Sequence, residues 1–268
     1  PYYSAILEGV EVTAKGMGYN IILGSSYSSE AQLLDYLNLL NTKLVDGIIL
    51  MEKIEKEKIM EKIKDENVFK KIVQCSEYIE ENGLTYITID HKKAAYEAVS
   101  HLISIGKKDI YLFSMKKDYT YSTLRREGLI EAMKDNGLEF KRENEILLDE
   151  LSIKEAQKHM NIILNNREVK NIGIFAVSDV IAIGVIKALN SKNIKIPQEA
   201  AIVGFDNIDF SAVIEPSLTT VSQPGYELGV ESVKSLMRKI TGENNNPEKI
   251  ILDYELIVRE TTNKFVLK

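Results

Sequence analysis

The sequence predicts an α/β fold of two lobes, each a mostly parallel sheet flanked by helices. Apolar strand-like runs alternate with helical patterns along the whole chain, and the alternation falls into two series of similar size. Strands alternating with helices imply parallel sheets built from right-handed crossovers. The length of 268 residues suffices for one large or two modest domains, and 44% hydrophobic with 28% charged residues is ordinary globular composition.

Residues 4–17 place Ile6, Val10, Thr13 and Met17 on one helical face, and Gly16 and Gly18 terminate that helix before an apolar strand-like run, Tyr19 to Leu23. A helix follows over Glu30 to Asn41, then a strand over Val45 to Met51, a helix over Glu55 to Asp65 and a strand over Lys71 to Cys75. The second series begins after a strand at Tyr86 to Ile89. It runs through a helix (Lys92 to Ile105), a strand (Ile110 to Ser114), a helix (Leu124 to Asn136) and a strand (Ile146 to Leu148). A helix over Lys154 to Asn165, a strand over Ile172 to Val177, a helix over Val180 to Asn193 and a strand over Ala201 to Gly204 complete it. Near the end, a helix over Tyr226 to Thr241 gives way to the turn-rich Gly242-Glu-Asn-Asn-Asn-Pro247, followed by short strands at Lys249 to Leu252 and Glu255 to Arg259.

The net charge of −6 and the lack of a basic stripe argue against a nucleic-acid surface on these residues. Cys75 is the only cysteine, so no intrachain disulfide can form, and no run of about 18 apolar residues offers a membrane span. These features, with no signal-peptide pattern at the start, fit a reducing cytoplasm. His91, His101 and His159 show no metal-ligand spacing with one another or with Cys75, so no metal or other cofactor is expected. Gly16-Met-Gly18 precedes a strand where a dinucleotide fingerprint would follow one, and reads as a helix terminator. The run Glu52 to Lys64, EKIEKEKIMEKIK, alternates charge at helical spacing as a solvated helix face does.

The stretch from Ile172 to Val221 carries most of the functional signal. One strand-like run ends in Ser178-Asp179 and a second in Gly204-Phe205-Asp206-Asn207. Ligands of open α/β sheets bind outside the carboxyl ends of the strands, so two carboxylates at two such ends suggest one polar small-molecule site. Asp206 can accept paired hydrogen bonds from neighbouring hydroxyls, although Asp also favours such corners for its own backbone. Asp179 reads equally as the N-cap of the helix beginning at Val180. Arg125, at the start of its expected helix, is disfavoured there by the macrodipole, which suggests a functional reason for a guanidinium. Arg126 is adjacent and able to share that role. Asp118, Tyr119 and Tyr121, in the loop before Arg125, read either as a rim of that site or, more simply, as a solvated loop.

The chain resembles the effector-binding core of LacI/GalR-type bacterial transcription regulators over nearly all of its length. The marks are Pro1-Tyr2-Tyr3 before Glu8-Gly9-Val10, Gly18-Tyr19, Val45-Asp46-Gly47-Ile48-Ile49 and Asp90 opening a helix that runs to Leu102. They continue with Arg125 three residues before Gly128, Ser178-Asp179 before Ala182-Ile183-Gly184, Ile196-Pro197 and Val203-Gly204-Phe205-Asp206-Asn207. Pro216-Ser217-Leu218-Thr219-Thr220-Val221, Gln223-Pro224 and Leu256-Ile257-Val258-Arg259-Glu260-Thr261-Thr262 close the series.

The resemblance implies a periplasmic-binding-protein-like fold with three crossings, near Ile89-Asp90, Ser222-Gln223 and Leu252-Asp253. One lobe would comprise residues 1–89 with 223–252, and the other 90–222 with 253–268. It further implies an effector, a sugar or related small metabolite, bound in an interlobe cleft and lined by Tyr2, Tyr3, Glu77, Arg125, Phe175, Asp179, Asp206 and Gln223. Lobe closure would be coupled to operator DNA through a helix-turn-helix headpiece. That headpiece, and a first strand that the family has just before the segment matching Pro1, are not among these residues. A homodimer without catalytic activity is implied. A secreted solute-binding protein of the same architecture, serving a sugar transporter, is the alternative, and an enzyme acting on a sugar or nucleoside lacks any supporting motif.

Overall fold

Twenty helices and strands can be followed through the computed structural model, which describes residues 2–27 and 29–263. Residues 1, 28 and 264–268, including the first position of the Pro1-Tyr2-Tyr3 motif and the end of the expected second lobe, lie outside the described residues. The first half of the chain forms α1 (Tyr2–Gly16), α2 (Glu30–Asn41), β1 (Ile48–Leu50), α3 (Lys56–Lys62), α4 (Glu66–Phe69), β2 (Ile72–Cys75), β3 (Thr85–Ile89), α5 (His91–Ser104), β4 (Asp109–Met115) and α6 (Thr120–Asp135). The second forms β5 (Glu145–Leu148), α7 (Ile153–Asn166), β6 (Ile172–Ala176), α8 (Asp179–Ser191), β7 (Ala200–Asp206), α9 (Asp209–Val213), β8 (Thr219–Ser222), α10 (Gly225–Ile240), β9 (Lys249–Leu252) and β10 (Glu255–Ile257).

These elements divide into two compact units. One contains Tyr2–Ile89 and Pro224–Leu252; the other contains Asp90–Gln223 and the chain from Asp253. In the first, a parallel sheet of order β1-β2-β3-β9 is covered on both faces. Along β2, Ile72 joins the apolar cluster of α2 and α3 (Leu37, Leu40, Ile59, Ile63), while Val73 and Cys75 join that of α1 and α10 (Ile6, Val10, Leu228, Val233). Burial on both sides is the usual condition of a parallel sheet.

The run Tyr19 to Leu23 forms no strand, contrary to its apolar pattern. Ile22 and Leu23 stand 66% and 71% exposed. A strand exists only where a neighbour takes up its backbone groups, and β1 is the edge of this sheet, with no described segment bonded beyond it. For the same reason the expected strand Val45 to Met51 shortens to β1.

The second unit has a six-stranded sheet of order β10-β8-β7-β6-β4-β5, parallel except for the antiparallel β10–β8 pair. Local signals fix the helix starts. Asp90 caps α5 through Lys93 N (2.9 Å), Ser152 caps α7 through Glu155 N (3.1 Å) and Ser178 caps α8 through Val180 N (3.3 Å). The cap of α8 is therefore Ser178, and Asp179 is the first residue of the helix. Helix α6 begins at Thr120, four residues before its expected start, so Arg125 lies beyond the first turn and the macrodipole argument against it loses its force. Strand β8, with only Thr219–Ser222 between Pro216 and Pro224, escaped the periodicity reading.

Helices α5 and α6 meet without room for a side chain at residue 128. A Cβ on Gly128 would lie 2.1 Å from the Lys92 carbonyl oxygen. Gly128→Ala is expected to force the helices apart and cost about 1–3 kcal/mol, as overpacking does. Gly16→Ala, where nothing lies within 4 Å of the added Cβ, should be neutral or stabilising, by up to about 1 kcal/mol. Urea unfolding of both variants checks the contrast, and equal effects would contradict it.

Candidate functional site

In the six-stranded sheet, β4 lies between β5 and β6, so the connection leaving β4 runs one way and that leaving β6 runs the other. The carboxyl ends of β4 and β6 thus form a topological switch point, where open α/β sheets hold their ligands. Arg125 comes from α6, which follows β4; Ser178 and Asp179 follow β6; Asp206 ends β7; and Gln223 follows β8.

Arg125 is 3% exposed. Its Nη1 donates to the Val177 carbonyl, and its Nη2 lies 3.3 Å from His91 Nδ1. The guanidinium carbon stands 3.4 Å from the Phe205 ring centroid and 4.8 Å from that of Tyr121, so the charge lies over two aromatic rings. Arg125 Nη1 is 4.0 Å from Asp206 Oδ1. That carboxylate also accepts from Gln223 Nε2 at 2.8 Å through Oδ1 and from Ser178 Oγ at 2.9 Å through Oδ2. The backbone at Asp206 has φ of 115° and at Asn207 φ of 53°. The first value is strained for a residue with a side chain, and the carboxylate's partners hold it there.

Asp179 is used differently. Its Oδ2 accepts from Ile208 N at 3.0 Å and Ser211 Oγ at 2.5 Å, and its Oδ1 accepts from Thr220 Oγ1 at 2.6 Å. A Cβ on Gly204 would stand 2.2 Å from Asp179 Oδ1, so the carboxylate enters β7 and β8 only because residue 204 has no side chain. Asn207 Oδ1 accepts from Arg259 Nη2 at 2.7 Å, and Thr219 exchanges bonds with Arg259 and donates its amide to Thr261 Oγ1, binding the segment after β10 to β8 and the loop that carries Asp206.

Of the residues expected from sequence, Arg125, Asp179, Asp206 and Gln223 are brought into this one cluster. Phe175 is fully enclosed in β6, and no described hydrogen bond or ring contact joins it to Arg125 or Asp206. Arg126 turns away, pairing in bidentate fashion with Glu145 at 2.6 and 3.1 Å. His91, Phe205 and Ser178 had not been singled out for this cluster. Tyr121 reads as loop in sequence but lies in α6, stacked on Tyr119 with centroids 5.1 Å apart. Tyr2, Tyr3 and Glu77 belong to the other unit. There, Tyr2 Oη lies 3.4 Å from Ser76 Oγ, the Tyr2 and Tyr3 rings are 5.4 Å apart, and Glu77 is buried just after β2. No group of three metal-ligating side chains occurs among the described residues, and no helix among them is long and apolar enough to cross a membrane.

The sequence profile of the periplasmic binding protein-like domain matches residues 99–262. Two transcriptional regulators align along almost the whole chain. The HTH-type transcriptional repressor CytR of Escherichia coli K12 is 28% identical, covering 98% of this chain and 76% of its own. The HTH-type transcriptional regulator RegA of Clostridium saccharobutylicum is 31% identical, covering 97% and 78%. Among solved structures, a LacI family transcriptional regulator from Enterococcus faecium with bound ribose superposes with a TM-score of 0.83 at 26% identity, covering 97% of this chain and 94% of that one.

This chain belongs to the LacI family.

In this LacI-family effector-binding core, the two carboxylates are electrostatically unequal. Burial raises the Asp179 carboxyl above its ordinary range and the neighbouring Asp206 charge raises it further, against the hydrogen bonds from Ser211, Thr220 and the Ile208 amide. Burial also raises Asp206, opposed first by the Arg125 charge and then by Ser178 and Gln223. A carboxyl raised in the folded state favours folding while protonated, and that contribution is lost as pH climbs from the unfolded value through the folded one. Asp206→Asn removes the cost of the buried charge. The melting temperature of this variant relative to wild type should therefore be more favourable at pH 8 than at pH 4.5. A difference that stays constant or reverses across that range would refute the assignment.

Proposed function

We propose that this LacI-family domain senses a sugar or related small metabolite, bound at the Arg125–Asp206–Gln223 cluster, and transmits its presence to operator DNA. The observation that carries the reading is the pairing of a buried guanidinium with a buried carboxylate at the switch point. Such a pair presents donors and acceptors to a polyhydroxylated ligand where water is scarce. The ribose bound to the Enterococcus faecium regulator supports a carbohydrate as the ligand class.

The remaining candidate residues, Tyr2, Tyr3 and Glu77, would complete the contacts from the other unit, with the ligand held in an interlobe cleft. Aromatic faces suit the apolar face of a sugar ring. Asp179, whose carboxylate is already committed to three partners, supports the loop that aims Asp206. In this mechanism the ligand favours a closed arrangement of the lobes by its differential contacts, and inverting a 1:99 population requires about 5.5 kcal/mol of such preference. Operator half-sites are met by two-fold dimers, so the working regulator would be a cytoplasmic homodimer, with DNA contacted by a headpiece outside these residues. No catalytic step forms part of this reading.

Calorimetric titration with D-ribose and a panel of neutral sugars should give saturable binding to one compound class. Asp206→Ala should weaken that binding at least tenfold, since hydrogen bonds to charged groups contribute about 1.5–3 kcal/mol. Its far-UV circular dichroism should stay unchanged. Unaltered affinity in the folded variant would show that the carboxylate serves only its turn.

A further inference from the structure

We propose that His91 is a positioning residue for the effector, its Nδ1 accepting a hydrogen bond from Arg125 and so fixing the plane in which the guanidinium meets the ligand. This rests on the effector-site reading above. A guanidinium has only donors, so the 3.3 Å contact between Arg125 Nη2 and His91 Nδ1 has one possible direction. Nδ1 is then unprotonated and the imidazole hydrogen sits on Nε2.

Two acceptors on separate elements take the two terminal nitrogens of Arg125. The Val177 carbonyl, between β6 and α8, takes Nη1, and His91, the first residue of α5, takes Nη2. Two such bonds fix the rotation of a planar group within its plane, and Phe205 and Tyr121 fix the plane's tilt. The imidazole is held by the same two rings, at 5.9 Å from Phe205 and 6.5 Å from Tyr121, and is 1% exposed. Its backbone is set by the Asp90 cap one residue earlier. Of these two acceptors, Val177 contributes main chain, so His91 is the one whose identity as an acceptor depends on its side chain.

A position-91 side chain must therefore supply an acceptor at the δ position. Asparagine does so through Oδ1; leucine fills similar space without one.

Long-range proton–nitrogen correlation spectra of the 15N-labelled protein, assigned with His91→Asn, should show His91 as the Nε2–H tautomer with an unprotonated Nδ1. A protonated Nδ1 would overturn the proposal without reference to any ligand. In D-ribose titrations, His91→Leu should weaken binding roughly tenfold, the loss expected for one hydrogen bond to a charged group, and His91→Asn should stay within roughly threefold of wild type. Both variants should melt within a few degrees of one another. Wild-type affinity in His91→Leu, or equal losses in both, would remove the positioning role. If ribose does not bind, the same comparison is made with the panel sugar that does; if no sugar binds the wild-type protein, the effector reading fails and the positioning role fails with it, while the imidazole spectra still decide the Arg125–His91 bond.

Discussion

Taking a guanidinium out of water costs several kcal/mol unless its charge and its donors are answered nearby. Arg125 is answered by the Val177 carbonyl, the His91 ring nitrogen, the faces of Phe205 and Tyr121, and the Asp206 carboxylate. These partners arrive from α5, α6, the ends of β6 and β7, and the chain between them. The arrangement forms only if the helices and strands of this unit are in register, so one buried charge ties together the elements that surround the switch point.

The backbone around Asp206 depends on the same condition. Its left-handed φ is unfavourable in isolation. It is retained because Gln223 and Ser178 hold the carboxylate, while Asp179 and Arg259 hold the loop on either side. Asp179 gains entry because Gly204 leaves space for it. A strained residue aimed by partners that are themselves locked is how a binding group is preorganised.

The alternation of strands and helices was legible from periodicity, because parallel strands covered on both sides are apolar along their length and their helices carry apolar faces. Several places escaped it, the short helices α4 and α9 among them. The apolar Tyr19 to Leu23 looked like a strand, but strand formation depends on a neighbour that periodicity cannot see; β8 was too short and too Thr-rich to stand out. Within the site, Asp179 and Asp206 were legible because they sit at strand ends, and Arg125 and Gln223 through their places in the motif series. His91 and Phe205 were not, since each reaches Arg125 from elsewhere in the sequence and neither carries a local signature, while Tyr121, one turn before Arg125 on α6, was hidden by the late expected start of that helix. Their signal was indirect: a buried arginine must be surrounded by acceptors and aromatic faces, of which the sequence around residue 125 supplies only Tyr121. Phe175, chosen as an aromatic at a matching position, is enclosed in the sheet, where most strand aromatics belong.

The central claim is that Arg125 and Asp206 act as one unit. A double-mutant cycle with Arg125→Met, Asp206→Asn and the double variant, measured by urea unfolding at pH 8, tests it most directly. The account predicts that the two losses are not additive, with a coupling of about 1 kcal/mol or more. Additive losses within about 0.5 kcal/mol would mean that the two residues share a location without sharing an interaction, and would contradict the account.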